Sequence, residues 1–333
     1  MTIEPLLGVH DLRISVRGDE GTARILDFVD LSLSQGEVLG VVGESGCGKS
    51  TLLKAILGLL PRGANVESGR IQFRERDILK LSSAQMARGI RGRAIGFIPQ
   101  DPFQSFNPVF TVGRQMMEIL RWSGLPGEPP NARWTRAVRE RARGRILEVF
   151  KAVQLPDPEL ALNRYPHQFS GGQRQRILIA GALAARPEVI LADEPTTALD
   201  VTTQMQILKL LRQLAREFEV GMLFVSHDFG AVAQLCDRVS VMYAGQTVET
   251  GPAAELIPRP EHPYSRALLA CHPDRDGDLV GIPGQVGSPL DPPPGCRFHP
   301  RCNIAEASCR VARPDYRQTG PGRKVACIHA RAQ

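Results

Sequence analysis

The sequence predicts an α/β fold in which short buried parallel strands each deliver polar residues at their carboxyl ends. Three observations carry that prediction. The apolar run Val38-Leu39-Gly40-Val41-Val42 leads through a glycine-rich stretch into the helix-like Leu52 to Leu60, a strand, loop, helix order. Three further apolar runs end in polar residues: Ile95 to Ile98 before Gln100, Val189 to Ala192 before Asp193-Glu194, and Met222 to Val225 before Ser226-His227-Asp228. Gly8 to Leu33 instead alternates apolar and polar residues in two runs, Leu12 to Val16 and Phe28 to Leu33, and reads as an antiparallel ribbon turning at Gly18 to Gly21. Gly69 to Phe73 reads as another short strand.

The stretch Gly43-Glu44-Ser45-Gly46-Cys47-Gly48-Lys49-Ser50-Thr51 fits the phosphate-loop pattern G-x-x-x-x-G-K-[ST] in full. Its glycines let backbone N–H groups turn onto phosphate oxygens, and the helix N-terminus adds about half a positive charge there. Lys49 is then the residue to neutralise phosphate, and Ser50 to ligate Mg²⁺. A chance glycine turn before a helix is the competing reading, and the apolar flanks weigh against it. Ser170-Gly171-Gly172-Gln173 begins a second helix-like run, with Ser170 at the N-cap position. That makes a second anion-binding end, or alternatively a well-capped helix and nothing more. Asp193 and Glu194 at a strand end suit a Mg²⁺ shell and the polarisation of a water, the alternative being two solvated acids. His227 alone reads as structural, so its role as a γ-phosphate donor rests on its company.

At 333 residues with 42% hydrophobic content the chain suits two domains with a sizeable core. Forty-one Lys and Arg against thirty-five Asp and Glu give a net charge of +6, yet no basic run interleaves with aromatics, so nucleic acid is not an expected partner. No apolar stretch reaches the roughly 18 residues of a membrane helix, and Met1 to Leu12 lacks the build of a signal peptide, so a cytoplasmic protein is expected.

Residues 101 to 169 read as an inserted helical region, amphipathic over Val112 to Leu120 and Val138 to Val153 with a Gly/Pro-rich gap at Gly124 to Pro130. Gly281 to Gly295 holds nine Gly or Pro in fifteen residues and reads as a strap to a small domain with little core of its own. That domain carries Cys296, Cys302, Cys309 and Cys327, spaced C-x5-C-x6-C-x17-C, a soft-ligand set suited to a metal in a reducing compartment. The spacing does not name the metal. His299 and His329 are reserve ligands, and Cys47, Cys236 and Cys271 read as ordinary thiols.

The ordered set of phosphate loop, Gln100, Ser170 to Gln173, Asp193-Glu194, Asp200 and His227 resembles the ATP-binding cassette (ABC) ATPases over residues 6 to 255. The resemblance implies a P-loop core with an antiparallel β subdomain and a helical insertion at 101 to 169. It implies ATP and Mg²⁺ as ligands, with Gly43 to Thr51 on the phosphates, Ser50, Gln100 and Asp193 at Mg²⁺, and Glu194 as catalytic base. Asp200 would be the D-loop acid, His227 the switch histidine and Gln100 the sensor of Mg²⁺ and of the membrane partner. Ser170 to Gln173 would close over the ATP of a second subunit. One departure is Val16, which stands where members stack adenine on an aromatic ring, leaving Arg17 or Arg24 to assist.

Gln100-Asp101-Pro102 with Ser105-Phe106-Asn107-Pro108, His262 to Leu269, Ile282-Pro283-Gly284 and Gly295 to Cys302 are similar to the ATP-binding subunits of dipeptide and oligopeptide importers. That likeness implies a C-terminal domain over 256 to 333 whose cysteines hold a four-iron, four-sulfur cluster, with zinc or free thiols the alternatives; Asn303 stands where relatives often have Pro. Gly58-Leu59-Leu60-Pro61 is similar to the first of two paralogous ATPases, which implies a heterodimer with the second. Two transmembrane permeases, a solute-binding protein and a place on the cytoplasmic face of the inner membrane complete the expected assembly. Nickel, opines or oligosaccharides are alternative solutes, and a non-transport ABC ATPase or a redox-sensing ATPase are alternative functions.

Overall fold

The computed structural model describes residues 5–128, 133–271 and 281–330; the end of the predicted gap at Pro129 and Pro130 lies outside them. Strands are numbered in chain order: β1 (Leu7–Gly18), β2 (Gly21–Leu33), β3 (Val38–Val42), β4 (Ala64–Phe73), β5 (Arg76–Asp77) and β6 (Ile95–Ile98). They continue as β7 (Val189–Asp193), β8 (Gly221–Ser226), β9 (Arg238–Tyr243), β10 (Gln246–Pro252), β11 (Arg317–Gly320) and β12 (Arg323–Val325). The chain forms two compact units, one of Met1–Ser34, Val38–Leu79 and Phe224–Gln333, the other of Gln35–Glu37 and Lys80–Leu223, with the division inside β8.

In the first unit β1 and β2 form the expected hairpin, registered from Leu7 opposite Leu33 to Gly18 opposite Gly21. Irregularities at Asp11 (φ 45°) and Phe28 (φ 64°) interrupt its alternation, and Val9, Leu12, Ile14, Leu26, Val29 and Leu33 are buried. With β4 and β5 it makes a four-stranded sheet in the order β2-β1-β4-β5. A second set runs β11-β12-β10-β9-β3, of which β3 and β9 are parallel and β9, β10, β12 and β11 pair antiparallel. All five residues of β3 are buried, as a strand covered on both faces requires. The helix after the glycine-rich loop runs Lys49–Ile56 and ends four residues short of the predicted Leu60. Gly58, at φ 62°, turns the chain out of the helix, leaving Leu59 half-exposed.

The sequence patterns gave no element for Pro263–Ala270, yet it is a helix, capped by His262, whose Nδ1 accepts the Tyr264 N–H at 3.1 Å, and opened by Pro263 at its first position. Glu249 on β10, fully buried, accepts the N–H groups of Glu261 and His262 at 2.9 and 3.0 Å and pairs with Arg323 of β12 at 3.0 Å. Arg323 also donates to the Arg259 carbonyl. One carboxylate therefore binds β10, the entry to the helix and the C-terminal hairpin together.

In the second unit β6 and β7 are parallel, with Ile98 opposite Ala192. Its main helices are Val112–Ser123, Arg136–Ala152, Gly171–Leu183 and Val201–Glu217. The first two lie within a residue or three of the predicted segments, and start where Thr111 and Thr135 accept backbone N–H groups. Arg145, buried in Arg136–Ala152, donates to the Leu183 and Ala184 carbonyls at 2.9 and 3.0 Å, which caps the C-terminus of Gly171–Leu183 with a cation. Among the described residues no helix is long and apolar enough to cross a membrane.

Candidate nucleotide site

In the first unit the phosphate loop leaves β3 and enters Lys49–Ile56 through Gly48, whose φ of 104° only glycine adopts readily. A Cβ at Gly43 would stand 2.2 Å from the Met242 carbonyl oxygen, so the first glycine is required by close approach to β9. Lys49, 6% exposed, donates from Nζ to the Gly43 and Glu44 carbonyls at 2.8 and 3.1 Å, which holds the ammonium over the loop. Cys47 is buried with Sγ 3.8 Å from that Nζ; burial pushes its thiol up despite the neighbouring Lys49 charge. Ser45, Gly46 and Ser50 face solvent at the mouth of the loop, and Thr51 is half-buried behind them. His227 follows β8 and is exposed, immediately before an Asp228 that caps the next helix by accepting the Gly230 N–H at 2.7 Å. Val16 lies half-buried on β1, with Arg17 and Arg24 exposed near the turn.

In the second unit the ends of β6 and β7 bring Gln100 and Glu194 together, with Gln100 Nε2 donating to Glu194 Oε2 at 3.3 Å. Thr197 donates to the same oxygen at 3.1 Å. No sequence pattern marks Thr197, whose place beside Glu194 is set by the turn after β7. Glu194 has φ 45°, a left-handed conformation uncommon outside glycine, and one that strained functional positions share. Asp193, the last residue of β7, is half-buried.

Ser170 and Gln173 form a reciprocal cap: Ser170 Oγ accepts the Gln173 N–H at 3.3 Å, and Gln173 Oε1 accepts the Ser170 N–H at 3.1 Å. Gly171 and Gly172 lie between them at the helix start, and a Cβ on Gly172 would reach within 2.7 Å of Thr203 Cγ2. Asp200 in turn accepts from the Thr203 N–H and hydroxyl at 2.9 and 2.7 Å, which lowers its carboxyl below the ordinary range. The serine–glycine stretch and the Asp200 turn are thus built against each other through Thr203.

Cys296, Cys302, Cys309 and Cys327 are free thiols that line one small cavity with His262, His299 and His329. Burial pushes the Cys296 thiol up to about 11, and the charges of the other three cysteines push it the same way. The cavity has about 10 Å³ of open space, near that of a single water. Among the described residues no group of three or more His, Cys, Asp or Glu side chains is arranged to hold a metal ion. The predicted ligand set is met only to the extent of four thiols around one cavity.

Residues 26–197 match the family model described as ABC transporter, and residues 248–309 match the one described as oligopeptide/dipeptide transporter, C-terminal region. The dipeptide transport ATP-binding protein DppD of Bacillus subtilis is 41% identical over 98% of this chain and 95% of its own length. The oligopeptide transport ATP-binding protein OppD of Haemophilus influenzae is 40% identical over 93% of each. Among solved structures, the dimeric post-hydrolysis ATP-binding cassette MJ0796 bound to ADP and Pi is 28% identical, with a TM-score of 0.62 over 74% of this chain and 98% of that one. CbiO1 from Clostridium perfringens, part of an ABC transporter complex, is 27% identical with a TM-score of 0.63 over 77% of this chain and 92% of that one. A complete phosphate loop, a capped serine–glycine helix and these two matched regions in one sequence place the chain in the ABC transporter family of ATP-hydrolysing subunits, among those with the oligopeptide/dipeptide transporter C-terminal region.

Proposed function

We propose that the chain powers import of di- or oligopeptides through a bacterial inner-membrane ABC transporter, as a peripheral subunit on the cytoplasmic face. The observation that carries this reading is the joining of a complete phosphate loop to an oligopeptide/dipeptide transporter C-terminal region. Relatives matched over nearly their whole length are called dipeptide and oligopeptide transport ATP-binding proteins.

In this reading the loop amides of Gly43 to Thr51 and the Lys49 ammonium bind the phosphates of ATP. Ser50, Gln100 and Asp193 are the candidate ligands of Mg²⁺, which supplies neutralising charge on the phosphate oxygens when bound. Glu194, held by Gln100 and Thr197, orients and deprotonates the attacking water, and His227 donates to the γ-phosphate. Ser170 to Gln173 contact the nucleotide of a second, paralogous ATPase. The exposed Val109 and Trp122 in the helical region suit a transmembrane partner. Two permeases and a solute-binding protein complete the assembly.

The four cysteines are proposed to hold an iron–sulfur cluster, with zinc the alternative. Support comes from the donor chemistry, since four soft thiols share one cavity. Iron, sulfide and zinc analysis of the purified chain decides between them.

The test is uptake of labelled di- and oligopeptides by the source bacterium deleted for this gene and complemented with wild type or Glu194→Gln. Restoration by wild type alone is expected. Equal uptake with both would overturn the peptide reading and turn the search to nickel and glycosidic solutes.

A further inference from the structure

A phosphate loop rich in glycine has little side-chain packing of its own, so something else must hold it open. Here the polar groups of Glu44 are held. Its N–H donates to the Tyr264 hydroxyl at 2.9 Å, and its carbonyl accepts from Lys49 Nζ at 3.1 Å and from the Cys47 N–H at 3.2 Å. Its two carboxylate oxygens receive the two ends of the Arg301 guanidinium at 2.9 and 3.1 Å. Arg301 is itself fixed, with a side chain 4% exposed and further donation to the Ile282 and Pro283 carbonyls at 3.1 and 3.0 Å.

Tyr264 comes from the helix Pro263–Ala270, and the other residues of this brace come from the seven-residue stretch Cys296 to Cys302. Phe298 packs on Tyr243 and Tyr264, with ring centroids 5.2 and 5.4 Å apart. Arg297 bonds Asp27 at 2.9 Å and the Ala244 carbonyl, and the next N–H, that of Gly245, donates to the Cys47 carbonyl of the phosphate loop at 2.9 Å. Three side chains between two cysteines thus reach the loop directly or through residues that contact it.

We propose that Arg301 is a positioning residue for nucleotide binding: through its fork on Glu44, the C-terminal region holds the phosphate loop in its binding form. The proposal rests on the ATPase reading above and adds to it that the C-terminal region sets ATP affinity. Without the fork, the cost of ordering the loop falls on the binding step. Because Arg301 touches no reacting atom, turnover at saturating ATP should be spared.

The test is calorimetric titration of the full chain with Mg-ATP, alongside steady-state hydrolysis, for wild type, Arg301→Ala, Arg301→Lys, Glu44→Gln and the Arg301→Ala/Glu44→Gln double variant. Arg301→Ala is expected to bind about tenfold more weakly, the scale of a charge-assisted hydrogen-bonded pair. It should keep wild-type kcat at saturating ATP. Arg301→Lys retains stem and charge but not the fork, and should fall roughly midway, which tests the idea even if the alanine variant fails to fold. In the Glu44→Gln background, losing Arg301 should cost less than about twofold more, since the partner is already weakened. Wild-type affinity in both Arg301 variants, or losses that multiply in the double variant, would overturn the proposal and leave the ATPase reading standing. No ATP binding by wild type would overturn the ATPase reading itself.

Discussion

Acidification should destabilise the first unit through His262. This imidazole is 1% exposed, and burial, with a smaller contribution from the Arg266 charge, lowers its pKa from 6.5 to about 3. The unfolded chain therefore takes up a proton that the folded chain refuses. The stability tied to neutral His262 is fully present above pH 6.5 and drains away as the pH falls toward 3. At about 1.4 kcal/mol per pH unit, lowering the pH from about 7.5 to about 5 removes about 2 kcal/mol. Against a typical domain stability of about 5–15 kcal/mol that is a visible fraction. Urea unfolding followed by tyrosine emission reads the correct unit, because Tyr243, Tyr264 and Tyr316 lie in it and Tyr165 alone lies in the other. The comparison is His262→Asn, which keeps a side-chain acceptor at the N-cap and has no proton to gain in this range. Wild type should lose about 2 kcal/mol more than the variant over that pH interval. Equal losses would mean that His262 is solvated or already protonated, and the reasoning from burial would fail.

Two further outcomes follow from buried charges. Arg323→Met leaves the fully buried Glu249 carboxylate without its cation and should cost about 3 kcal/mol in urea unfolding of the same unit, the range for breaking a buried pair. A shift under about 1 kcal/mol would show the two backbone N–H donors to be sufficient. In the second unit, Arg145→Met removes the donor to the Ala184 carbonyl and one of two donors to the Leu183 carbonyl, which keeps the Arg186 N–H at 3.0 Å, and should lower stability by about 1–2 kcal/mol, read by tryptophan emission from Trp122 and Trp134.

Much of the site was legible because its parts are local in sequence. The pattern from Gly43 to Thr51 dictates its own loop and helix start, and Ser170 with Gln173 three residues later is a cap readable without coordinates. The strands Ile95–Ile98 and Val189–Asp193 stood out as short apolar runs ending in polar residues. What escaped reading is what depends on distant chain. No pattern links Arg301 to Glu44, 257 residues away, or Glu249 to Arg323, 74 residues away. β9 and β10 were missed because neither is marked by a motif, although Ala244-Gly245 forms the tight turn between them. The early end of Lys49–Ile56 is hidden by the apolar run Leu52 to Leu60, inside which Gly58 is the one mark of the turn. The left-handed Glu194 was invisible for a different reason, since a glutamate there carries no sequence mark of an unusual backbone.

The hairpin of β11 and β12 has a consequence for how the protein behaves when cut or fused. It lies along β10, with Lys324 and Val325 opposite Thr250 and Glu249. A chain shortened before Arg317 would turn β10 from an inner strand into an open edge with unpaired backbone groups, the surface on which foreign strands pair and aggregates seed. The last strands thus act as a lid on self-association, and a soluble fragment would have to carry them.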